Sequence, residues 1–310
     1  MLTGKILITG GAGTLGTAII KRATEEKWDC HITIMSTDPA KHSKLLSKYP
    51  KVSAIIGDVR DYNALLMAMT GKDIVIHAAA VKRIPESEWN SIDCFQINVQ
   101  GSLNVCAAAM YLHTPDVIGI STDKACHPAN AYGATKMMME KGFQEYSRLN
   151  IQTKFHLVRY GNVLESNGSV IESWKNALLR NEPITMTDPS MTRFWLSPSQ
   201  GVDYVLKALQ MPTGCIYVPM MKALPIGKLA EYTIHWNNDV ILDIKRIPLR
   251  PGEKMHETLV TEEEGWYAEE FDGGIVIQRS TDPRHEKKYP VYSSDIVDEF
   301  SRQELMDILK

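Results

Sequence analysis

A glycine-rich turn near the amino terminus constrains the fold of this chain more than any other feature. The stretch TGGAGTLG follows the apolar run KILITG, and Gly10, Gly13 and Gly16 stand three residues apart. Glycine lets the backbone turn tightly and approach a pyrophosphate, which then lies at the positive end of the following helix. Because the turn follows a predicted strand and opens a predicted helix, it indicates dinucleotide binding rather than an ordinary tight turn.

Short apolar runs and longer helix-like segments alternate through the first half of the chain. The predicted strands cover residues 5–10, 30–35, 52–57, 73–80 and 116–122. The predicted helices cover residues 13–26, 61–70 and 94–110. Nearly continuous apolar strands joined by helical crossovers indicate a parallel sheet that is covered on both faces. The prediction is a doubly wound α/β fold of the Rossmann type.

The second half is less regular and predicts a smaller α/β lobe. A buried strand followed by a loop is predicted in 153–163, a short strand in 214–219, and helices in 168–180, 197–210 and 225–236. Ser197 is expected to cap the second of these helices, with Pro198 at its first position. We expect a cofactor-binding domain, 1–160, interleaved with a substrate-binding lobe, 161–310, with the substrate between them.

Composition argues against several function classes. The 34 basic and 37 acidic residues give a net charge of -3, so no basic field for nucleic acid or anionic membrane is expected. The five cysteines are scattered and never form a C-x-x-C pair, and the histidines lack metal-ligand spacing, so neither disulfides nor a metal site is predicted. The first strand begins by Lys5, which leaves no room for a signal peptide, and no apolar run is long enough for a membrane span. A cytoplasmic protein is expected.

The residues after the second strand bear on the choice of dinucleotide. An acidic side chain there would bind a ribose 2′-hydroxyl and favour NAD, whereas neutral or basic residues leave room for the 2′-phosphate of NADP. Ser36 and Thr37 come first, Asp38 comes late and Lys41 follows, so NADP is favoured, with Ser36 and Lys41 near the phosphate. Asp58, after the third strand, either accepts a hydrogen bond from the adenine or caps the next helix.

The stretch STDKACHPANAYGATK, residues 121–136, begins where a buried strand is predicted to end, at the edge where open α/β sheets bind their ligands. Tyr132 and Lys136 are one helical turn apart and should face the same cleft. We expect the Lys136 ammonium to lower the pKa of Tyr132. The pair could then take a proton from an alcohol while a nicotinamide takes the hydride.

Several motifs together resemble the extended short-chain dehydrogenase/reductases and, within them, the UDP-N-acetylglucosamine 4,6-dehydratases of the 5-inverting type. The motifs are TGGAGTLG, STDKA, YGATK, VRYGNV, MTRFW and RPGEKMHE, and the resemblance runs from about Gly4 to about Tyr292. YGATK marks only the superfamily, whereas STDKA, MTRFW and RPGEKMHE mark the dehydratase branch.

The resemblance implies roles for five residues. Tyr132 would deprotonate the sugar O4 while Thr122 holds that oxygen. Lys124 would remove the C5 proton as general base, and Asp123 would protonate the leaving C6 hydroxyl as general acid. Lys124 must then be partly neutral, and burial together with the charge of Lys136 is expected to lower its pKa.

The resemblance also implies binding residues for both ligands. Expected cofactor contacts are Gly10, Gly13, Thr14, Leu15, Gly16, Ser36, Thr37, Lys41, Asp58, Val59, Ala78, Ala79, Lys82, Tyr132 and Lys136. Expected contacts to the nucleotide sugar are Lys82, Asn98, Asn162, Ser166, Asn167, Gly168, Ser169, Arg193, Arg250 and Glu253.

Two departures from the family pattern stand out. Where the family commonly has Ser-Arg-Asp after the second strand and Ser-Arg-Gly in the nucleotide loop, this chain has Ser-Thr-Asp at 36–38 and Ser-Asn-Gly at 166–168. In the first departure, Thr37 replaces an arginine that would bind the 2′-phosphate, and this weakens the preference for NADP.

Two alternatives remain open besides the dehydratase that acts on UDP-N-acetylglucosamine or a related UDP-sugar. One is a UDP-N-acetylhexosamine 4-epimerase or a 5,6-dehydratase; an epimerase would need Tyr132 and Lys136 but not Asp123 and Lys124. The other is a non-catalytic NADP-binding sensor. The resemblance further implies a homo-oligomer built through the long helices of the first lobe.

Overall fold

The computed structural model describes residues 1–149, 152–166, 168–234, 243–279, 282 and 284–309. In this part of the chain, the predicted doubly wound α/β fold is confirmed. Asn167 and the predicted helix end at 235–236 lie outside the described residues.

The strands include each of those predicted from the sequence, with small shifts at their ends. They are β1 (Gly4–Thr9), β2 (Cys30–Ser36), β3 (Ser53–Ile56), β4 (Ile74–His77), β5 (Asp116–Thr122), β6 (Lys154–Tyr160), β7 (Asn162–Val163), β8 (Ile184–Met186), β9 (Thr192–Leu196), β10 (Ile216–Pro219), β11 (Ala223–Pro225), β12 (Ile244–Arg246), β13 (Thr258–Val260), β14 (Ala268–Phe271), β15 (Gly274–Ile277) and β16 (Tyr292–Ser293).

The helices alternate with the strands through the first half and then surround the smaller sheets. They are α1 (Thr14–Glu25), α2 (Pro39–Lys48), α3 (Tyr62–Met69), α4 (Ile84–Trp89), α5 (Ser91–Phe95), α6 (Gly101–Leu112), α7 (Ala131–Leu149), α8 (Val170–Leu179), α9 (Pro198–Ala208), α10 (Ile226–Ile234) and α11 (Arg302–Leu309).

One large sheet carries the fold, in the order β14-β15-β10-β6-β5-β4-β1-β2-β3. From β3 across to β10 neighbouring strands are parallel, and β15 and β14 continue antiparallel. From β1, the chain adds β2 and β3 on one side of the sheet and then β4, β5 and β6 on the other. The change of direction falls between β1 and β4, which is the switch point where such sheets bind ligands. The strands β10, β14 and β15 come from the second half of the chain, and the division at residue 160 stays a prediction.

The described residues form two hydrophobic cores. The larger one fills both faces of the main sheet and includes the fully buried Ile6, Ile8, Ile34 and Phe155. The smaller one lies under α8, α10 and α11, where Trp174 and Leu229 pack together with neighbouring buried side chains. No helix in the described part of the chain has the length and apolar character needed to cross a membrane.

Local signals in the sequence account for several helix ends. The Ser197 hydroxyl accepts from the Gln200 amide at 3.1 Å, and the Gln200 side chain accepts from the Ser197 amide at 2.8 Å. Pro198 occupies the first position of α9, as predicted. The reciprocal bonds form a capping box, which satisfies amide groups that a helix start leaves without partners.

The helix predicted at 94–110 is not continuous. A π-helical turn, Gln96–Gln100, separates α5 from α6. Asn98 lies in this turn, where its side chain accepts from the Val81 amide at 2.8 Å and donates to the Val81 carbonyl at 2.9 Å. A π turn re-aims side chains, and here it aims the Asn98 amide at the loop after β4.

Candidate active site

The glycine turn between β1 and α1 has the close contacts that its sequence predicts. Gly10 has a φ of +66°, and a Cβ there would lie 2.8 Å from the Cα of Ala79. A Cβ on Gly16 would collide with the carbonyl of Gly11. Gly13 occupies the position before α1 and supplies no capping side chain, so the helix start suits an anionic group of a ligand.

The predicted cofactor contacts around this turn lie together. Thr14 and Leu15 are in the first turn of α1, and Ala78 and Ala79 follow β4 directly against Gly10. Gly11 was not predicted, although a Cβ on it would lie 2.5 Å from Cγ2 of Ile34. The two adjacent glycines in TGGAGTLG were the available signal. The backbone at Gly11 lies so close to Ile34 of β2 that no side chain fits there.

The end of β2 brings Ser36 together with a histidine that the sequence analysis missed. The Ser36 hydroxyl lies 2.6 Å from Nε2 of the buried His42. Asp38 caps α2 by accepting from the Lys41 amide at 3.0 Å, and its other oxygen lies 3.1 Å from Lys41 Nζ. Asp38 is therefore engaged within its own turn, and Thr37 is exposed beside it.

Asp58 is held by a neighbouring arginine. Arg60 Nε donates to both carboxylate oxygens of Asp58 at 3.0 Å, and this pairing lowers the pKa of Asp58. The alternative that Asp58 caps the next helix is wrong, because Asp61 accepts the amides at the start of α3. Val59 is buried, and its side chain packs against Gly101 of α6.

The end of β5 carries three of the four polar residues of the STDKA motif in direct contact. Thr122 is the last residue of the strand, and a short 3-10 helix, Asp123–Ala125, follows. The Thr122 hydroxyl donates to Oδ1 of the fully buried Asp123 at 2.7 Å. Lys124 Nζ donates to the same oxygen at 2.9 Å. The hydroxyl, the carboxylate and the ammonium therefore form one connected proton network.

Lys124 also contacts two groups from the second half of the chain. Its Nζ donates to Oδ1 of Asn162 at 3.0 Å and lies 3.6 Å from Oε1 of Glu257. Burial works against the ammonium charge, but the carboxylates of Asp123 and Glu257 outweigh burial and raise the pKa of Lys124. The prediction that burial and Lys136 would lower the pKa of Lys124 is therefore wrong.

Tyr132 and Lys136 are both buried in the first turns of α7. Burial raises the pKa of Tyr132 to about 12, while the charge of Lys124 and a hydrogen bond to Thr122 act against this rise. Burial lowers the pKa of Lys136 to about 8, and its Nζ lies 2.9 Å from Sδ of Met139. The predicted lowering of the Tyr132 pKa is wrong, and Lys124 is the cation that favours its phenolate.

Asn98 and Arg193, which are predicted to contact the substrate, form hydrogen bonds to other parts of the protein. Besides holding Val81, the Asn98 amide donates to Oγ1 of Thr135 on α7 at 3.0 Å. Arg193 is buried and donates to the carbonyls of Thr192 and Lys254 at 2.8 Å. Asn98 thus fixes the loop after β4 to the helix of Tyr132, and Arg193 holds the RPGEKMHE segment against β9.

The predicted nucleotide loop forms the start of α8. Ser169 caps this helix by accepting from the Glu172 amide at 3.3 Å, and the Gly168 amide donates to Glu172 Oε2 at 2.6 Å. Ser166 is buried beside them. A Cβ on Gly168 would lie 3.2 Å from Nε of Arg83, so the loop after β4 meets this loop.

The remaining predicted contacts differ in their surroundings. Lys82 is exposed, but partial desolvation of its ammonium and the charges of Arg83 and Lys124 lower its pKa. Arg250 is exposed, and its amide donates to Glu253 at 3.2 Å. Lys82 therefore lies within the field of the Lys124 ammonium.

Glu257 is a further residue of this site that the sequence analysis missed. Its side chain is 5% exposed, and besides Lys124 it lies 3.8 Å from Nε of Arg193 and 3.8 Å from Nζ of Lys254. The signal was present, since Glu257 ends the RPGEKMHE motif. Within the described residues, no group of three or more His, Cys, Asp or Glu side chains is arranged to hold a metal ion.

The fold and this site define a protein of the short-chain dehydrogenase/reductase type, with a glycine turn for a dinucleotide and a Tyr-x-x-x-Lys helix beside it. The chain belongs to the polysaccharide biosynthesis protein family, whose model matches residues 6–279.

Two relatives show which activities occur in proteins similar to this chain. A UDP-N-acetylglucosamine 4,6-dehydratase (inverting) of Campylobacter jejuni subsp. jejuni serotype O:23/36 (strain 81-176) is 38% identical over 287 residues, covering 90% of this chain and 84% of the relative. A UDP-glucose 4-epimerase of Rickettsia bellii (strain RML369-C) is 40% identical over 274 residues, covering 86% of this chain and 80% of the relative. The predicted resemblance is confirmed by these similarities.

Two solved structures share the fold. Pen from Bacillus thuringiensis is 30% identical with a TM-score of 0.91, covering 99% of this chain and 97% of that one. DesIV, a dTDP-glucose 4,6-dehydratase from Streptomyces venezuelae solved with NAD and TYD bound, is 18% identical with a TM-score of 0.72, covering 81% of this chain and 86% of that one.

Proposed function

We propose that this protein is a nucleotide-sugar 4,6-dehydratase that converts UDP-N-acetylglucosamine to a UDP-2-acetamido-2,6-dideoxy-4-keto-hexose, with inversion at C5, in surface glycan biosynthesis. The observation that carries this proposal is the bonded set of Thr122, Asp123 and Lys124 at the end of β5. Oxidation at C4 needs Tyr132 and Lys136 alone, whereas elimination of water needs a further acid and base. The name of the Campylobacter jejuni relative supports the same substrate.

A nicotinamide dinucleotide is the cofactor class that this site supports, and we propose NADP, with NAD as the less favoured choice. The tight turn at Gly10, Gly13 and Gly16 fits a pyrophosphate. At the end of β2, Ser36 and Lys41 could donate to a 2′-phosphate, while Asp38 is engaged as a helix cap. When bound, the nicotinamide supplies a hydride acceptor at C4 of the sugar and returns the hydride to C6.

The chain's own residues would carry the protons. Thr122 orients the sugar O4, and Tyr132 accepts its proton as the alcohol is oxidised. The pKa of Tyr132 is about 12 because the side chain is buried. Ionisation of Tyr132 therefore depends on a nearby cation, and Lys124 acts in that direction.

Elimination would follow at C5 and C6. Lys124 removes the C5 proton, which the C4 ketone makes acidic, and Asp123 protonates the C6 hydroxyl so that water departs. For these steps Lys124 must be neutral and Asp123 must be protonated, which is the reverse of their protonation in an ion pair. Transfer of one proton across the 2.9 Å contact from Lys124 Nζ to Asp123 Oδ1 gives the neutral amine and the carboxylic acid together. When the hydride reaches C6, a proton from solvent reaches C5 on the face opposite Lys124, which inverts C5, and loss of the Tyr132 proton to solvent restores the starting state.

We also propose a division of labour and an assembly. Residues 1–160 bind the cofactor and residues 161–310 bind the nucleotide sugar. Apolar side chains remain exposed on the outer surface of α4 to α7, which supports a homo-oligomer formed through these helices, and sedimentation of the purified protein tests it. They are Trp89, Ile92, Phe95, Tyr111 and Met138.

The direct test is incubation of the purified protein with UDP-N-acetylglucosamine in heavy water, followed by proton NMR and mass spectrometry. The dehydratase gives loss of one water, a new C6 methyl signal and deuterium at C5, and the coupling at C5 reports inversion or retention. The Tyr132→Phe variant should give none of these signals.

The same spectra separate the alternatives. Conserved mass with inversion at C4 indicates an epimerase, which the name of the Rickettsia bellii relative makes the second candidate. Loss of water with an alkene and no methyl signal indicates a 5,6-dehydratase. No conversion of any UDP-sugar would favour a sensor.

A further inference from the structure

We propose that Glu257 is a positioning residue for Lys124: its buried carboxylate holds the Lys124 ammonium in the cleft and sets the pH range in which Lys124 works as a base. This inference deepens the proposed function, in which Lys124 removes the C5 proton. Glu257 acts through Lys124 and is not proposed to touch the sugar.

The surroundings of Lys124 Nζ carry the inference. Three oxygen groups from three separate segments surround this atom, and an ammonium has three protons to offer. Asp123 Oδ1 lies at 2.9 Å, Asn162 Oδ1 at 3.0 Å and Glu257 Oε1 at 3.6 Å. Two of the three groups are carboxylates, so the geometry favours the charged lysine, which is the form that cannot act as a base.

Glu257 is fixed in place by its backbone. Its amide donates to Oγ of Ser294 at 2.9 Å, and its carbonyl accepts from the Ser294 amide at 2.8 Å. Its Oε2 atom is buried and has no hydrogen-bond partner among the described residues. A buried carboxylate with an unsatisfied oxygen is costly, and this cost indicates a role beyond stability.

Some of the other charges near Lys124 favour its ammonium form, and some disfavour it. Asp123 on its own turn favours the ammonium, while Arg193 on β9 disfavours it. Lys82 after β4 and Tyr132 on α7 also interact with the Lys124 charge. Lys254 lies on the far side of Glu257, 3.8 Å from Oε2, and offsets part of its negative charge. With Asp123 needed as the acid, Glu257 remains as the carboxylate that can tune Lys124 independently.

The consequence is a defined balance between two states of the lysine. In the resting enzyme Glu257 keeps Lys124 charged and aimed at the cleft. Proton transfer to Asp123 must overcome this attraction before Lys124 can accept the C5 proton. Replacing Glu257 by a neutral residue of the same shape should release Lys124 toward its neutral form.

The experiment compares the full-length enzyme with Glu257→Gln and Glu257→Asp. Two quantities are measured: kcat against pH with UDP-N-acetylglucosamine, and the ε-carbon NMR titration of Lys124 without substrate, assigned with Lys124→Arg. Because an opposite charge at this range shifts a pKa by about 1–3 units, Glu257→Gln should move the alkaline limb, where Lys124 and Asp123 lose their shared proton, and the Lys124 titration to lower pH by about one unit or more. Glu257→Asp keeps the charge and should stay close to the parent.

A matched control is Glu262→Gln, which removes an exposed carboxylate that pairs with Lys288 at 2.9 Å. It should leave both curves unchanged. If Glu257→Gln does not fold, Lys254→Met provides the opposite change, because loss of this cation strengthens the field of Glu257 and should move both curves to higher pH.

Unchanged curves in folded Glu257→Gln, or in Lys254→Met where that variant is needed, would overturn the proposal. Because the NMR titration needs no turnover, a shifted Lys124 signal in an enzyme that does not dehydrate the sugar would overturn the proposed function and leave the Glu257 contact standing.

Discussion

Two buried charged clusters flank the segment after β5, and they are built differently. In the Arg159 cluster, the guanidinium donates to Glu140 at 2.6 and 2.9 Å and to Glu264 at 2.7 and 2.8 Å. In the Lys124 cluster, formed with Asp123, Asn162 and Glu257, the contact to Glu257 is 3.6 Å. Among the described residues, Oδ2 of Asp123 and Oε2 of Glu257 have no hydrogen-bond partner.

The difference separates a structural network from the network that we propose to be catalytic. Arg159 lies on β6, Glu140 on α7 and Glu264 in the second half of the chain, so the cluster joins both halves with short bonds on every side. Buried polar groups are normally satisfied, and exceptions occur where groups must change partners. The unsatisfied oxygens of Asp123 and Glu257 are consistent with the proton transfer that we propose for the Lys124 cluster.

The largest effect is expected from breaking the Arg159 cluster. Arg159→Met leaves Glu140 and Glu264 buried without their cation, and loss of one member of such a pair costs about 3–5 kcal/mol. Urea unfolding at pH 7 should show this loss. Arg279→Met, which breaks a partly exposed pair with Asp282, should cost far less. Equal losses of stability in the two variants would contradict the interpretation of the Arg159 cluster as a structural network.

The same cluster predicts how stability depends on acid. Although burial opposes it, Arg159 lowers the pKa of Glu264 from 4.5 to about 2. A lowered carboxyl pKa contributes stability that is complete above the unfolded value and is lost as pH falls toward the folded one. The parent should therefore lose stability between pH 4.5 and about 2 more steeply than Arg159→Met does.

In the Lys124 cluster, a large loss of activity is expected. Lys124→Gln keeps a hydrogen-bonding group but removes the proposed base, and general acid–base catalysis contributes about 10²–10⁴-fold. Product formation followed by NMR should fall by that factor at equal concentrations of folded enzyme. The urea midpoint should also fall, because Asp123 and Glu257 lose the cation that they share. A folded variant with near-parental kcat would show that another group removes the C5 proton.

Lys136 sharpens the comparison, because it is a buried cation that forms no short ion pair with any described residue. Burial lowers its pKa from 10.5 to about 8, so the unfolded chain binds more protons between these values and stability rises with pH there. Lys136→Met should therefore stabilise the protein at pH 7, by up to about 3 kcal/mol, and this gain should shrink toward pH 10. Thermal unfolding against pH measures it, with exposed Lys141→Met as control. A gain that does not depend on pH would contradict the charge argument.

The smallest effect concerns the cofactor. Lys41 is exposed and already paired with Asp38, so its removal should weaken NADP binding by only about two- to fivefold. Lys41→Ala should leave NAD binding unchanged, and Lys44→Ala on the same helix should affect neither. Fluorescence titration with both dinucleotides checks this, and equal weakening of both would place Lys41 away from the 2′-phosphate.

The parts that sequence predicted well depend on local backbone chemistry. The turn at Gly10 and the cap at Ser197 follow from residues within a few positions, so their pattern is visible in the chain. Even a local prediction can fail, as Asp58 shows. Its carboxylate accepts from Arg60, two positions later, and Asp61 caps α3 instead.

The parts that sequence could not predict depend on contacts between distant segments. Glu257 meets Lys124 across more than a hundred residues, and no spacing rule indicates that contact. Arg193 was expected to contact the nucleotide sugar, but nothing in the spacing indicated that its guanidinium also donates to carbonyls of Thr192 and of the RPGEKMHE segment. The protonation of Lys124 was predicted in the wrong direction because the two carboxylates around it come from different parts of the chain.

The most direct test of the central claim is solvent exchange at C5 of the uninverted 4-keto-6-deoxy sugar, the C5 epimer of the proposed product. Its C5 proton keeps the orientation of the substrate's, and its exchange uses the C5 base without any hydride transfer. The holoenzyme is incubated with this epimer in heavy water, and loss of the C5 proton signal is followed by NMR. The parent should exchange this proton and Lys124→Gln should not, at matched concentrations of folded enzyme. Exchange in Lys124→Gln at the parental rate would contradict the claim that the Lys124 cluster is built to move the C5 proton.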